Sequence, residues 1–463
     1  MKYHIVTLGC PKNAVDSEGM DGILAGDGHT QVSGIDDADV IIVNTCSFIA
    51  AARDETLSVL GELGAQKRTG QRLIAAGCMA QSHAALVSGV DGVDGTLSTQ
   101  QWMRIGELVG QGQRTTNDER PKNGRDIPVI GLEPVSSNPQ PPTPNSYADW
   151  RTAQIRRTRS APSAYLKISD GCNLRCAFCT IPSFKGDMAS KPVGGILAEA
   201  QELASRGVRE IVLVAQHLTD YGRDLKITDG LATLLNELCQ VLPENVWLRL
   251  MYAYPHGISE RLIQVMAERR QVLPYLDMPL QHAHPDTLRR MRRPPDTDRT
   301  RGVIRDLRAA MPDIAMRSTF IVGFPGETSA EFKELLAFLD EVRLDRVGAF
   351  RYSQEPGTHA ATLAGQVRPQ VIEKRWHELM QLQQGISRER SQRWLGRTID
   401  VLVEGRGIAD DGRPLALGRS FRDAPEVDGQ VFVWGEPPIG EIVTVHVTQA
   451  TDYDLWGEVN VER

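Results

Sequence analysis

Cysteine is scarce in this chain, 7 residues among 463 and odd in number, which argues against a fold stapled by disulfides. Long apolar runs are missing as well. The most apolar early window, VIIVNTCSFIAAA at 40 to 52, is broken by Asn44, Thr45 and Ser47 and falls short of the about eighteen apolar residues that a membrane span requires. The start, MKYHIVTLGC, has no basic region followed by an apolar stretch and a small-residue cleavage site, so a reducing, cytoplasmic location without membrane contact is expected. Positive charge is not in excess either. A formal net charge of -7 speaks against a protein that coats nucleic acid, and the deficit is local. From Leu395 to Arg463 there are 13 acidic residues against 6 Lys or Arg, so the rest of the chain is formally neutral.

What cysteine there is lies in a pattern. GCNLRCAFCTIPS, residues 171 to 183, holds Cys172, Cys176 and Cys179 with C-x3-C-x2-C spacing. Three thiols in so short a window suit a metal better than a disulfide. An open-site 4Fe-4S cluster is the first reading, because a structural zinc site normally takes four ligands and no neighbouring fourth Cys or His is present. Zinc and a metal-free thiol arrangement remain open on spacing alone.

Three segments are legible. Residues 1 to 105 repeat an apolar run, a cysteine and a helix-like stretch: HIVTLGC ends at Cys10, VIIVNTC at Cys46 and LIAAGC at Cys78. Such alternation predicts a parallel sheet covered by helices, with all three cysteines at carboxyl ends of strands, where open α/β sheets bind ligands. Each of these cysteines could also be an ordinary small core residue. Residues 106 to 160 are polar and proline-rich and read as a linker, closed by a solvated run at Arg156, Arg157 and Arg159.

Residues 161 to 385 carry six further apolar runs, at 164 to 169, 210 to 216, 247 to 254, 274 to 280, 316 to 323 and 346 to 353, which predict an α/β barrel or partial barrel. Within it, Thr328 and Glu331 form a capping box ahead of a face made by Phe332, Leu335, Leu336 and Leu339. Tyr252 and Tyr254 share one side of a strand by parity. Cys239, on an apolar helical stretch, reads as core. Residues 395 to 463 break into short alternating runs, TIDVLVEG, QVFVWG and EIVTVHVTQA, the pattern of a small OB-like β-barrel.

The central triplet resembles the hallmark of the radical S-adenosylmethionine enzymes, placed in the first loop of a partial (β/α)6 barrel. By that resemblance, Cys172, Cys176 and Cys179 hold a 4Fe-4S cluster whose fourth iron chelates S-adenosylmethionine. Reductive cleavage then gives methionine and a 5'-deoxyadenosyl radical. Phe178 occupies the motif's aromatic position and is expected near adenine, with loop packing as the plain alternative.

Across nearly the whole chain the sequence is similar to the methylthiotransferase family. The landmarks are GCPKNAVDSE at 9 to 18, NTCSFI at 44 to 49, AGCMAQ at 76 to 81, the central triplet, DMPLQHA at 277 to 283 and IVGFPGET at 321 to 328. The resemblance implies a second 4Fe-4S cluster on Cys10, Cys46 and Cys78, a sulfide or persulfide sulfur source, and a C-terminal TRAM domain. It also implies that one S-adenosylmethionine methylates cluster-bound sulfur while another generates the radical, so that no side chain is needed as a catalytic acid or base. Gly323, Gly326 and Glu327 are expected to approach methionine or ribose; Asp277 and Gln281 to face the substrate or order a loop; Asn13 and Asn44 to satisfy turns or approach iron.

The chain departs from close relatives at Ala189, Ser190, Lys191 and Pro192, where an Arg-Ser-Arg-Pro run is usual, at Gly194 and Gly195, and at His217 in place of aspartate. GRSFRDAPEVDG at 418 to 429 and DYDLWGEV at 452 to 459 look like the branch that modifies an aspartate of ribosomal protein S12, and the acidic tail suits a basic protein. The implied partners are S12, free or in the ribosome, and an electron donor such as flavodoxin or ferredoxin, the enzyme itself acting as a monomer. A tRNA adenosine methylthiotransferase and a non-catalytic iron-sulfur RNA-binding adaptor are the competing functions.

Overall fold

The computed structural model describes residues 1–110, 129–130, 150–153, 155, 157–158 and 161–460. These divide into two compact units, one comprising residues 1–159, 170–175 and 179–195, the other residues 160–169, 176–178 and 196–463. Most of the expected linker, with Arg156 and Arg159, lies outside the described residues.

The first unit is built on β1 (Lys2–Thr7), β2 (Thr30–Gln31), β3 (Val40–Thr45), β4 (Arg72–Gly77), β5 (Gly95–Ser98) and β6 (Val129–Ile130), all parallel, in the order β2-β1-β3-β4-β5-β6. All six residues of β3 are buried, as expected for a central strand of a sheet covered on both faces. One face packs Ile41, Val43, Leu73 and Ala75 against Leu60 and Leu63 of the helix Ala50–Gln66. The unit extends past the expected boundary at residue 105. Ile105, Leu108 and Val109 of the helix Ile105–Gly110 are buried, and β6 pairs with β5. Arg157 is not on a solvated face: it is 5 % exposed and pairs with Glu18 at 2.9 Å.

The second unit contains β7 (Ser163–Lys167), β8 (Glu210–Val214), β9 (Trp247–Leu250), β10 (Val272–Asp277), β11 (Ala315–Val322) and β12 (Arg346–Arg351). They form one parallel sheet in simple sequential order, with a helix in every crossover after β8, the connectivity of an open (β/α)6 barrel. β9 stops at Leu250, short of the expected run, because Tyr252 takes φ +64°. Tyr252 and Tyr254 therefore do not share a strand face. The capping box at Thr328 and Glu331 is present at the start of the helix Ser329–Val342, whose buried face adds Phe338 while Leu336 is only half-buried.

After the helix Pro369–Gln392, β13 (Thr398–Ile408), β14 (Pro414–Ser420), β15 (Val431–Trp434), β16 (Ile442–Ala450) and β17 (Leu455–Val459) close into a barrel in the order β13-β14-β15-β17-β16. Its interior is the alternate set Val401, Val403, Val431, Val433, Val445, Val447 and Leu455. Closure leaves no unpaired edge. No helix among the described residues is long and apolar enough to cross a membrane.

Candidate iron-sulfur and radical site

In the first unit, Cys10, Cys46 and Cys78 follow β1, β3 and β4, three strands adjacent in the sheet, at their carboxyl ends. The sequence places them there because each apolar run ends in Gly-Cys or Thr-Cys and the chain then turns into a helix. Cys10 precedes the helix Pro11–Gly26, and Cys78 opens the short helix Cys78–Ser82. Cys46 and Cys78 are buried and Cys10 is half-buried. Burial pushes the Cys78 thiol up to about 12, countered by the Lys185 ammonium, and negative charge on Cys10 or Cys46 pushes it further. Burial likewise raises the Cys46 thiol, with Cys10 adding to it. The three thiols thus lie within electrostatic reach of one another.

The surrounding loops are tied together by amides. Asn13 Nδ2 donates to the carbonyls of Leu8 (2.9 Å) and Thr45 (3.1 Å), joining the Cys10 and Cys46 loops, and its Oδ1 lies 3.8 Å from Cys78 Sγ. Asn44 Nδ2 donates to the Asn13 carbonyl (2.8 Å) and to Ser17 Oγ (2.9 Å). Asn13 lies in the first turn of the helix Pro11–Gly26 and Asn44 in β3, so neither sits in a loop turn, and both side-chain amides are engaged with protein groups. Gly9 has φ +89°, and a Cβ there would stand 2.7 Å from Cys46 Sγ, so only glycine fits beside this thiol.

The same unit contains the flanks of the central cysteine loop. The Cys172 N–H donates to the Gly186 carbonyl (3.1 Å), and Arg175 Nη1 donates to the Cys172 carbonyl (2.8 Å). Lys185, at the end of the helix Ile181–Lys185, is buried between Asp170 (2.9 Å) and Asp16 (3.7 Å). Burial alone would depress this ammonium; the two carboxylates and Cys78 more than reverse that and raise it. No sequence pattern announced Lys185, because a lysine six residues beyond Cys179 looks like any surface cation.

In the second unit, the middle of the cysteine loop is held by backbone bonds. The Ala177 N–H donates to the Met291 carbonyl (2.9 Å), and the Ala177 carbonyl accepts from Ala360 (2.7 Å). Phe178 meets Phe324 edge-on, ring centroids 6.5 Å apart, beside a cluster of Ala177, Met291, Ile321, Phe324 and Ala360. Cys176 Sγ accepts from Arg293 Nη1 at 3.7 Å.

The GFPGET turn follows β11. Gly323 (φ +77°) is packed so closely that a Cβ would stand 2.4 Å from Ile372 Cγ1. Gly326 (φ +78°) lies against the Arg290 side chain. Glu327 Oε2 accepts the backbone N–H groups of Gly323 (2.7 Å) and Phe324 (3.2 Å), and its Oε1 pairs with Arg375 (2.8 Å). Burial pushes the Glu327 carboxyl up while Arg375 and the two N–H groups pull it down. These contacts make Glu327 the brace of its own turn.

Asp277, fully buried at the end of β10, pairs with Arg317 at 3.0 Å; burial still leaves its carboxyl raised. Gln281 takes φ +73°. Lys191 is buried, and so is His217, whose imidazole burial pushes down to about 4 and whose ring lies edge-on to Tyr254 at 5.0 Å. Cys239 is half-buried on the helix Gly230–Val241, its thiol pushed up to about 11 by burial.

Three family models match the chain: the radical SAM superfamily over residues 166–339, the uncharacterized protein family UPF0004 over 2–97, and the TRAM domain over 395–459. The sequence is 71 % identical over 462 residues to the ribosomal protein uS12 methylthiotransferase RimO of Chloroflexus aurantiacus, covering 99 % of both chains. It is 68 % identical to the protein of that name from Roseiflexus sp., covering 99 % of this chain and 97 % of the relative. The RimO of Klebsiella pneumoniae is 42 % identical, with 98 % of each chain covered. Among solved structures, the radical S-adenosylmethionine methyltransferase TsrM of Kitasatospora setae, with cobalamin and a [4Fe-4S] cluster bound, superposes with a TM-score of 0.55 at 15 % identity over 78 % of this chain and 76 % of that one, a likeness of fold. With relatives this similar along their whole length, the chain belongs to the radical SAM family of ribosomal protein uS12 methylthiotransferases.

Proposed function

We propose that this enzyme adds a methylthio group to the β-carbon of an aspartate side chain in ribosomal protein S12. The observation that carries the reading is the presence of two intact three-cysteine sets, each following the carboxyl end of a parallel strand, in a chain alike throughout its length to proteins named for that activity. Cys10, Cys46 and Cys78 would hold one 4Fe-4S cluster, and Cys172, Cys176 and Cys179 the other together with S-adenosylmethionine. The donor sets fit: each offers three thiols and no fourth, and the Gly9 turn leaves no side chain beside Cys46. When bound, these groups supply radical abstraction of an unactivated hydrogen and a methylated sulfur drawn from sulfide or persulfide.

The chain's own residues bind and orient. Asn13 and Asn44 fix the loops that carry Cys10 and Cys46. The Ala177 backbone fixes the centre of the second set, with Phe178 beside it in position to cover adenine. Gly323 and Gly326, held in their turn by Glu327, offer backbone to the methionine or ribose of S-adenosylmethionine. A cytoplasmic location, monomeric action and a low-potential donor such as flavodoxin or ferredoxin complete the reading.

Mass spectrometry of S12 and of digested tRNA from cells with and without the gene tests it. The expected result is loss of a methylthio-sized mass from S12 alone. Loss from a tRNA nucleoside with S12 unchanged would overturn it in favour of tRNA modification. Anaerobic reconstitution should bring about eight irons per chain, about half of which depart with Cys172, Cys176 and Cys179 replaced by Ala.

A further inference from the structure

Arg293 is 9 % exposed. Its Nη2 donates to the Pro279 carbonyl at 2.6 Å, its Nη1 points to Cys176 Sγ at 3.7 Å, and its guanidinium lies over the Tyr254 ring, 4.3 Å from the centroid. Among the described residues no carboxylate lies within ion-pair distance of it. The titratable side chains that feel its charge include His217 and His256, and burial and Arg293 together push both imidazoles toward the neutral form. A buried guanidinium held only by a carbonyl, an aromatic face and a sulfur is short of one negative charge.

We propose that Arg293 is the counter-charge of the central cluster and sets its reduction potential, by donating to the sulfur of Cys176. This rests on the reading that Cys172, Cys176 and Cys179 hold that cluster. Hydrogen bonds to the sulfurs and the net charge around a cluster are main determinants of its potential. A one-electron donor adds one negative charge to the site, and a fixed cation beside a ligand thiolate favours that reduced state. Two features keep the guanidinium in place. Pro279 occupies its second nitrogen, and the Tyr254 ring covers one face. Arg293 is thus a positioning and tuning residue, with no role in the bonds made or broken.

The test uses the full chain with Cys10, Cys46 and Cys78 replaced by Ala, so that one cluster is observed. Redox titration followed by electron paramagnetic resonance compares Arg293, Arg293→Met and Arg293→Lys, with iron content and S-adenosylmethionine binding measured in parallel. The expected result is a shift of Arg293→Met to lower potential by at least a tenfold change in the reduced fraction, 59 mV for one electron, with about four irons retained. Arg293→Lys keeps the charge but cannot reach Pro279 and Cys176 together, so it should shift less. If Arg293→Met does not retain iron, a lowered potential in Arg293→Lys still supports the inference and an unchanged one overturns it. Equal potentials in all three proteins overturn it too. Unchanged potential with lost S-adenosylmethionine binding also overturns it, assigning the guanidinium to the cosubstrate carboxylate. A parent protein that binds no iron would instead sink the cysteine assignment itself.

Discussion

Glu210 Oε1 accepts from Arg249 Nε at 2.6 Å with neither side chain exposed to solvent, and Arg419 reaches the other oxygen of the same carboxylate. Arg249 also donates to the carbonyls of Ser420 (2.9 Å) and Phe421 (2.6 Å). The first residue of β8 is thereby tied to the C-terminal barrel. Burial alone would push the Glu210 carboxyl up, but the two guanidinium groups hold it at about 2.

Glu210→Gln should therefore be severe although it preserves shape. It leaves Arg249 buried against a neutral amide and Arg419 with Glu404 as its remaining carboxylate, a loss of about 3–5 kcal/mol. Urea unfolding of the variant beside the parent measures it, and a change under 1 kcal/mol, on the order of an exposed pair, would refute the assignment. In the parent the sign follows from a folded value near 2 against an ordinary value of 4.5: the contribution is full above pH 4.5 and disappears as pH falls toward 2.

His282 gives the opposite kind of proton linkage. It is buried, and its Nδ1 accepts the backbone N–H of His284 (3.0 Å), which requires an unprotonated nitrogen there. Burial pushes the imidazole from 6.5 down to about 3, so the nearby Glu327 oxygen at 3.8 Å does not make an ion pair at neutral pH. The unfolded chain binds the proton first. Stability contributed by the neutral ring is full above pH 6.5 and falls below it, by about 1.4 kcal/mol at a pH one unit lower. His282→Gln should flatten the stability slope between neutral and mildly acid pH; an unaltered slope would count against a neutral buried ring.

Asn13→Ala removes the bonds to Leu8 and Thr45 that join two cysteine loops. The expected cost is about 1–3 kcal/mol for carbonyls left without their donor. With the central triplet replaced by Ala, iron retention after gel filtration should also fall. Full retention at reduced stability would restrict Asn13 to a folding role.

Gly9→Ala places a methyl group 2.6 Å from Cys46 Cβ in a backbone at φ +89°. A loss of about 1–3 kcal/mol and of N-terminal iron is expected. Gly26→Ala is the control, since a Cβ there meets nothing within 4 Å. Equal behaviour of the two variants would refute a steric requirement at residue 9.

Part of the negative charge of the C-terminal segment is neutralised by partners within the protein. Asp423 is buried against Arg346 (2.8 Å), Asp428 accepts from Tyr275 (2.6 Å), Asp452 pairs with Arg388 (2.5 Å) and Glu404 with Arg419 (2.6 Å). Asp423 and Asp428 are turned into the molecule, while Asp452 and Glu404 are partnered by arginines nearer its surface. The segments around 418 to 429 and 452 to 459 are in part the seam with the preceding α/β sheet. The assignment to S12 stands on similarity along the whole chain, not on the tail's charge.

Two parallel α/β sheets, a small closed β-barrel and the lie of Cys10, Cys46 and Cys78 at strand ends were all legible in the chain. Strand-length apolar runs ending in Cys or Gly-Cys impose parallel strands, and parallel connectivity puts every such ending on one edge. The sequence also showed the capping box, since that device spans only four residues. The partners of Lys185, Arg293 and Glu210 were beyond its reach. Lys185 meets Asp16 from 169 positions away, Arg293 meets Cys176 across 117, and Arg419 meets Glu210 across 209. Charge pairing over such separations leaves no periodicity or spacing in the chain; it exists only when folding has removed water from both partners, and the tertiary structure alone decides which charges those are.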